Sequence, residues 1–272
     1  MRKAKVRTRL IGLASIVIGI VFASFVIGIS AAGGSALAGR MPHPQRASAA
    51  DSGFVPLFNG RDLTGWKVPS GDNGHWRVVD DVIDYDAESE ASGEKHLWTE
   101  RAFGDFVLRI DWRLKGTPYV NPSVPIIRFD GTHKKDASGG DIHLAVADAD
   151  SGIYLRGSSK SQVNIWCWPI GSGEVYGYRT DAAMPPAVRA GVTPKRNADR
   201  DIGEWNTFEI TVRRDRLTVV LNGVDVITDA ELPGMPARGP IALQHHGEKK
   251  GGTWTAPPSL VQFRNISIKE LQ

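Results

Sequence analysis

The chain has 272 residues, a hydrophobic content of 41% and a formal net charge of +3. This length can bury one substantial core. Because the first nine residues carry much of the excess positive charge, the rest of the chain is close to neutral and lacks the basic surface of a nucleic-acid-binding protein. We therefore predict one folded domain with no nucleic-acid partner.

Residues 1–38 have the pattern of a secretory signal peptide, with a basic head, the apolar run Leu10–Ile29 and a small-residue tail. The apolar run is also about long enough to cross a bilayer as a helix, so an uncleaved membrane anchor is the alternative. The positive-inside rule places the domain outside the cytoplasm in both cases, and we expect a periplasmic or secreted protein. A linker rich in proline, alanine and serine follows over residues 39–53, and the domain is predicted over residues 54–272.

From Phe54 onward the sequence predicts many short strands separated by turns. Apolar and polar residues alternate over Asp105–Leu114, as in a half-buried antiparallel strand. Residues 115–150 predict an inserted hairpin or a long rim loop, and three prolines in residues 179–203 argue against a long helix. The Asn222-Gly223 pair suits a type I′ hairpin turn. We therefore predict an all-β fold, a two-sheet antiparallel sandwich or jelly roll.

The stretch Ser151–Tyr178 predicts a β-hairpin whose strands carry polar and aromatic side chains at alternate positions. Guanidinium, amide, phenol and indole groups can hold a sugar through hydrogen bonds and stacking. The candidate contacts are Tyr154, Arg156, Gln162, Asn164 and Trp166. A solvated outer face is the alternative, because periodicity does not show which face lies in a cleft.

Two further positions could take part in proton transfer. In the predicted strand Ile241–Gly247, Gln244 and His246 share a face, and an imidazole at the strand end can exchange protons near neutral pH. His246 could equally be an ordinary surface histidine. Glu174 lies in a glycine-rich loop beside Tyr176, where the alternative is a solvated acid. No spacing in the sequence selects the carboxylate pair of a conventional glycosidase.

A divalent cation and a reactive thiol were also considered. Six side chains could provide oxygen and imidazole ligands for a cation: His133, Asp136, Asp141, His143, Asp148 and Asp150. Their spacing completes neither an EF-hand nor a zinc pattern, so the cation is only a candidate cofactor. Cys167 is the single cysteine, and we predict a small buried hydrophobic residue rather than a nucleophile.

A series of motifs occurs in the order found in the 3-keto-disaccharide hydrolase family, also described as 3-keto-glucoside-1,2-lyase and 3-keto-2-hydroxy-glucal hydratase. The motifs are FVPLFNGRDLTGW from Phe54, then GDFVLRIDWR, SGIYLRG, GEWNTFEITV, LNGVDV, GPIALQHHG and FRNISIKEL. The chain resembles this family over residues 54–272. The resemblance implies a concanavalin A-like, laminin-G-like jelly roll and a glycoside substrate that a separate dehydrogenase has oxidised at C3.

The chemistry implied by this resemblance starts from the acidity that a C3 ketone gives to the C2 proton. A base removes that proton, the C1 aglycone leaves, and water adds to the resulting glucal. By motif match we expect His246 in proton transfer and Arg156 at the oxyanion or the sugar hydroxyls. The sugar pocket would be lined by Tyr154, Gln162, Asn164, Trp166, Tyr176 and Gln244.

The sequence departs from the family at Gln162, where relatives commonly carry a glutamate. Either the base lies elsewhere, with Glu174 as a candidate, or the activity is lost or changed. A non-catalytic carbohydrate-binding module at the cell surface is therefore the alternative function, since jelly rolls host lectins as well as enzymes. A structural cell-surface protein held by its N-terminal segment is a third interpretation.

Overall fold

Antiparallel strands make up most of the computed structural model, which describes residues 53–272. The strands, in chain order, are β1 Val55–Pro56, β2 Trp66–Lys67, β3 Arg77–Val79, β4 Val82–Tyr85, β5 Leu97–Thr99, β6 Phe106–Leu114, β7 Tyr119–Pro125, β8 His143–Asp148, β9 Asp150–Leu155, β10 Ser158–Trp166, β11 Asn206–Arg213, β12 Arg216–Leu221, β13 Val224–Glu231, β14 Ala242–Leu243, β15 Glu248–Lys250, β16 Thr253–Ala256 and β17 Val261–Glu270. The helices are α1 Tyr176–Arg179 and α2 Pro186–Gly191.

Two sheets form the sandwich. The larger has the order β13-β12-β11-β6-β17-β4-β3, with β1 paired to β17. The smaller has the order β10-β9-β14-β5-β2, and β7-β8 and β15-β16 form separate two-stranded ribbons. The predicted all-β, two-sheet antiparallel jelly-roll fold is confirmed.

The alternation of the sequence explains how the larger sheet packs. In β6 every second residue from Phe106 to Leu114 is buried, and β6 lies between β11 and β17. These side chains belong to one hydrophobic cluster with the fully buried Ile153 and Val163 of the smaller sheet. Burying such side chains contributes about 1.5–3 kcal/mol each relative to exposure. The core therefore lies between the two sheets.

The smaller sheet departs from simple alternation in a way that points to a site. From Ser161 to Trp166 every residue of β10 is buried, on both faces of the strand. The apolar Val163 and Ile165 face the core, whereas the polar Gln162 and Asn164 occupy the alternate positions. Polar side chains that are buried need partners, so the outer face of this sheet is covered and specialised rather than solvated.

The connections agree with the turn and helix predictions. Asn222 and Gly223 join β12 to β13 with positive φ angles of 53° and 80°, as a type I′ turn requires. Residues 179–203 contain only a short helix, α2, and residues 115–150 form the hairpin β7-β8 with an extended loop. Within residues 53–272 no helix is long and apolar enough to cross a membrane. The predicted signal peptide or anchor, residues 1–38, lies outside the described residues.

Candidate functional site

A cleft of about 380 Å³ opens on the outer face of the smaller sheet. Its walls combine aromatic, amide, carboxyl and imidazole groups. The lining residues are Asn121, Asp150, Gln162, Asn164, Trp166, Trp168, Tyr176, Gln244, His246 and Pro257. The structure thus brings most of the predicted site residues into one cleft, and the roles we assign to them remain proposals.

The register between β9 and β10 explains this grouping. Asn164 lies opposite Gly152, and Trp166 lies opposite Asp150. Residues paired across two antiparallel strands point to the same face, so Asp150 shares the outer face with Gln162 and its neighbours. In the sequence Asp150 is one of several acids and a candidate cation ligand, and no spacing distinguishes it from the other acids. The period-two pattern that grouped the amides could also have placed this carboxyl with them.

An amide pair forms the floor of the cleft. The Gln162 side-chain nitrogen donates to the Gln244 side-chain oxygen and, at 3.2 Å, to the Ser151 carbonyl oxygen. Gly152 makes room for this arrangement, since a Cβ there would lie 2.8 Å from Gln162 Cγ and closer still to its amide nitrogen. The Gln162 oxygen and the Gln244 nitrogen are not used in this pair. They can therefore present one acceptor and one donor to sugar hydroxyls.

Trp168, which is half-buried, provides an aromatic surface in the wall of the cleft. Its ring stacks on Trp166 with centroids 4.1 Å apart and planes at 6°, and Trp166 is only 4% exposed. The Trp168 indole N–H donates to Asp148 at 3.0 Å, which fixes the ring, and Tyr176 packs edge-on against both indoles. Trp166 is the indole predicted from the sequence to contact the sugar. The structure places Trp168 over it, so Trp168 is the better stacking surface.

His246 and Asp150 are the titratable pair in the cleft. The His246 Nδ1–H donates to the Pro257 carbonyl oxygen at 2.6 Å, which leaves Nε2 as the acceptor nitrogen. Asp150 Oδ1 is buried with no hydrogen-bond partner among the described residues. Burial raises the pKa of this carboxyl to about 7, although His246 opposes the shift. His246 Nε2 can therefore accept a proton, and the protonated carboxyl of Asp150 can donate one.

Ser259 holds the backbones of this pair together. Its hydroxyl accepts from the His246 N–H at 2.6 Å and donates to the Asp150 carbonyl oxygen at 2.7 Å. Gly247 follows His246 with a φ of +118°, and a Cβ there would lie 2.9 Å from Pro258 Cα. The His-Gly sequence is therefore required for the Pro257-Pro258 turn to reach His246.

Arg156 does not line the cleft, so the structure does not bring it together with the other predicted site residues. Its φ of +51° ends β9, so it does not continue the outward face of Tyr154. The guanidinium is 1% exposed and donates to the Gly104 carbonyl at 2.8 Å, the Pro236 carbonyl at 3.2 Å and Asp105 at 2.7 Å. Arg156 therefore links the loops that contain Gly104, Asp105 and Pro236 at the C-terminal end of β9.

Glu174 and Tyr154 also differ from expectation. Glu174 is fully buried, pairs with Arg179 and does not line the cleft, so the structure does not bring this candidate base together with the other predicted site residues, and it is not a solvated acid. Burial raises the pKa of Glu174 to about 7, with Arg179 opposing the shift. Tyr154 lies on the outward face but packs against His96 and Trp98 beside the cleft.

The candidate cation ligands are not gathered into one cluster. In residues 53–272 no group of three or more His, Cys, Asp or Glu side chains is arranged to hold a metal ion. His133 pairs with Asp141 at 2.9 Å, whereas Asp148 accepts from Trp168. Burial raises the pKa of the Cys167 thiol to about 12, which keeps it protonated and unreactive at neutral pH.

Comparison with known proteins identifies a family and supports the fold. The model of the 3-keto-alpha-glucoside-1,2-lyase-like domain matches residues 53–269.

Two crystal structures of proteins from Parabacteroides distasonis ATCC 8503, both provisionally assigned as glycosyl hydrolases, are similar to this chain. The 2.13 Å structure is 23% identical, with 81% of this chain and 84% of that chain covered and a TM-score of 0.51. The 1.70 Å structure is 19% identical, with 81% and 94% covered and a TM-score of 0.49. The search of curated proteins finds no relative of this chain.

Proposed function

This chain belongs to the family of 3-keto-alpha-glucoside-1,2-lyase-like domains, and from that premise we propose that its cleft cleaves 3-keto-glycosides by elimination followed by hydration. Family membership supports a carbohydrate as the partner of this domain. The observation that supports the proposal is that His246 and Asp150 line one cleft together with the amides of Gln162, Asn164 and Gln244 and the indoles of Trp166 and Trp168.

In the first step, His246 Nε2 removes the C2 proton of the bound 3-keto sugar. The electron pair of the C2–H bond moves into the ring carbons as an enolate whose oxygen is at C3. The cleft offers the amide N–H groups of Gln244 and Asn164 as donors to that oxygen. Donors that are already oriented stabilise a developing oxyanion more than solvent does.

In the second step, the enolate collapses, the C3 ketone re-forms, a C1–C2 double bond appears and the C1–oxygen bond breaks. Asp150, whose raised pKa of about 7 keeps a substantial fraction of the carboxyl protonated near neutral pH, donates its proton to the leaving oxygen. Water then adds at C1 and gives a proton to Asp150, while His246 returns its proton to C2. Both residues end in their starting states, and the net reaction is hydrolysis.

Release of the aglycone tests this proposal. A chromogenic 3-keto-glucoside should release its aglycone, whereas the unoxidised glucoside should not, because without the ketone the C2 proton is not acidic. The assay is run with and without a chelator, which tests for a cation. Equal release from both compounds would contradict the elimination mechanism. Binding of both without release would favour the carbohydrate-binding module.

The amide floor gives a second expectation. In Gly152→Ala the new methyl group displaces the Gln162 amide, and we expect KM for the 3-keto-glucoside to rise about tenfold, the size of one lost hydrogen bond of 1–1.5 kcal/mol. Gly116→Ala is the control, because a Cβ there meets no atom within 4 Å. Steady-state kinetics of both variants check this, and a wild-type KM in Gly152→Ala would show that the floor does not contact the sugar.

A further inference from the structure

A second cavity of about 490 Å³ is strongly basic. Four of its side chains carry or can carry positive charge: His133, Lys135, Arg179 and Arg189. None of its lining residues is acidic. Asp141 already pairs with His133 and Lys135, so the two arginines decide what this cavity can bind.

Arg189 is the unpaired cation. Its guanidinium makes no hydrogen bond or ion pair with the described part of the chain, and its Nε is buried without a partner. An unsatisfied buried donor costs about 1–3 kcal/mol, more for a charged group. The loop at Gly131 packs so tightly against α2 that a Cβ there would lie 2.9 Å from the Arg189 carbonyl oxygen. The structure therefore holds the backbone of Arg189 in place while its side chain lacks a partner.

Arg179 is held in a fixed orientation. Its Nε donates to the buried Glu174, and its Nη1 donates to His133 Nε2 at 3.2 Å. The other His133 nitrogen donates to Asp141 at 2.9 Å. No described residue accepts from Arg179 Nη2. A planar guanidinium that is already oriented loses little further entropy when it binds an anion.

Tyr176 connects the basic cavity to the cleft. It lines the cleft, and the Arg179 Cζ atom lies 5.4 Å from the centroid of its ring. Both residues belong to the single turn of α1. A ligand that extends out of the cleft past Tyr176 thus enters the basic cavity. In a 3-keto-glycoside the group that extends beyond the reacting sugar is the C1 aglycone.

We propose that the basic cavity is a subsite for a carboxylate on the aglycone, with Arg189 and Arg179 as its ligands. This inference rests on the proposed function for the choice of reacting sugar. Arginine forks match the two oxygens of a carboxylate, and such charge-assisted bonds are about twice as strong as neutral ones. The natural substrates would then be glycosides of acidic aglycones, such as a carboxyphenyl group or a uronic acid.

The test compares 4-carboxyphenyl and 4-carbamoylphenyl 3-keto-glucosides, which differ in charge but hardly in shape. We expect kcat/KM to be about tenfold to a hundredfold higher for the carboxylate, the equivalent of one to two charge-assisted bonds, and the difference to lie in KM. Arg189→Gln should reduce this ratio to near one. The control is Lys134→Gln, which removes an exposed charge between His133 and Lys135 but does not line the cavity. This variant should keep the wild-type ratio. Equal kcat/KM values for the two substrates in the wild type would overturn the subsite.

Calorimetry with the unoxidised 4-carboxyphenyl glucoside separates this subsite from the proposed reaction, because that compound binds without a ketone. Binding that depends on Arg189, together with no turnover of either keto compound, would leave the subsite standing and overturn the proposed function. Turnover of both keto compounds with equal kcat/KM would leave the proposed function standing and overturn the subsite.

Discussion

Replacing Asp150 with Asn lowers release of a poor leaving group, such as an alkyl alcohol, by about 10²–10⁴-fold, the usual contribution of a general acid. A nitrophenyl group leaves without needing a proton, so Asp150→Asn should retain much more activity on a nitrophenyl 3-keto-glucoside. His246→Gln should lose comparable activity on both substrates, because both need the C2 proton removed. Steady-state rates of the two variants on the two substrates make this a four-way comparison.

The pH dependence gives the same test a second readout. Asp150 must be protonated to act as the acid, and burial raises its pKa to about 7. The rate on the alkyl substrate should therefore fall as the pH rises through about 7, and this fall should be absent from Asp150→Asn. Glu174 has a raised pKa in the same range but lies outside the cleft, so its titration should not replace that of Asp150. Equal losses on both leaving groups in Asp150→Asn would contradict the acid role.

Arg156→Met is expected to cost about 3–5 kcal/mol of unfolding free energy, the range for breaking a buried ion pair by removing one partner. The substitution leaves the carbonyl groups of Gly104 and Pro236 without their donor, and it leaves Asp105 without its cation. Urea denaturation measures the loss. Arg213→Met, at an exposed arginine of β11, is the control and should change the midpoint little.

The two possible roles of Arg156 predict opposite results. If Arg156 only ties loops together, the folded fraction of Arg156→Met should keep the kcat of the wild type. Wild-type stability combined with lost turnover would show instead that its guanidinium reaches the substrate, as the family motif suggested.

The sequence predicts the face of the central hairpin correctly while the chain stays extended. Alternation places Gln162, Asn164 and Trp166 together because each residue of β10 is paired with β9 from Gln162 onward. It fails at Arg156, where a left-handed backbone conformation turns the side chain inward. A single positive φ angle does not change the pattern of polar and apolar residues in the sequence, so that pattern does not predict it.

The proton-transfer groups show a different limit. His246 stood out because it precedes a glycine at the end of the predicted strand. In the structure β14 ends earlier, at Leu243, and the close approach of Pro258 explains the glycine. Asp150 did not stand out among the acids, since its distinguishing features are a buried oxygen without a partner and the proximity of His246. Glu174 was predicted as a candidate base because the sequence does not show its burial against Arg179. That burial depends on how separate segments pack.

The departure at Gln162 is consistent with this assignment. Its amide donates to Gln244, a bond that a glutamate at the same position could not make in its ionised form. With proton transfer given to His246 and Asp150, position 162 is left to orient the floor of the cleft. The absence of an acid at Gln162 therefore does not argue against catalysis.

The most direct test of the central proposal follows the C2 hydrogen itself. A 3-keto-glucoside carrying deuterium at C2 is incubated with the wild-type protein, and the released sugar is analysed by mass spectrometry as soon as it forms. Elimination predicts that the aglycone is released more slowly than from the unlabelled compound and that solvent hydrogen replaces the C2 deuterium to the extent that the deuteron on His246 exchanges with solvent before it is returned to C2. Release at an unchanged rate with the deuterium still at C2 would mean direct displacement at C1, and it would contradict the proposed role of His246.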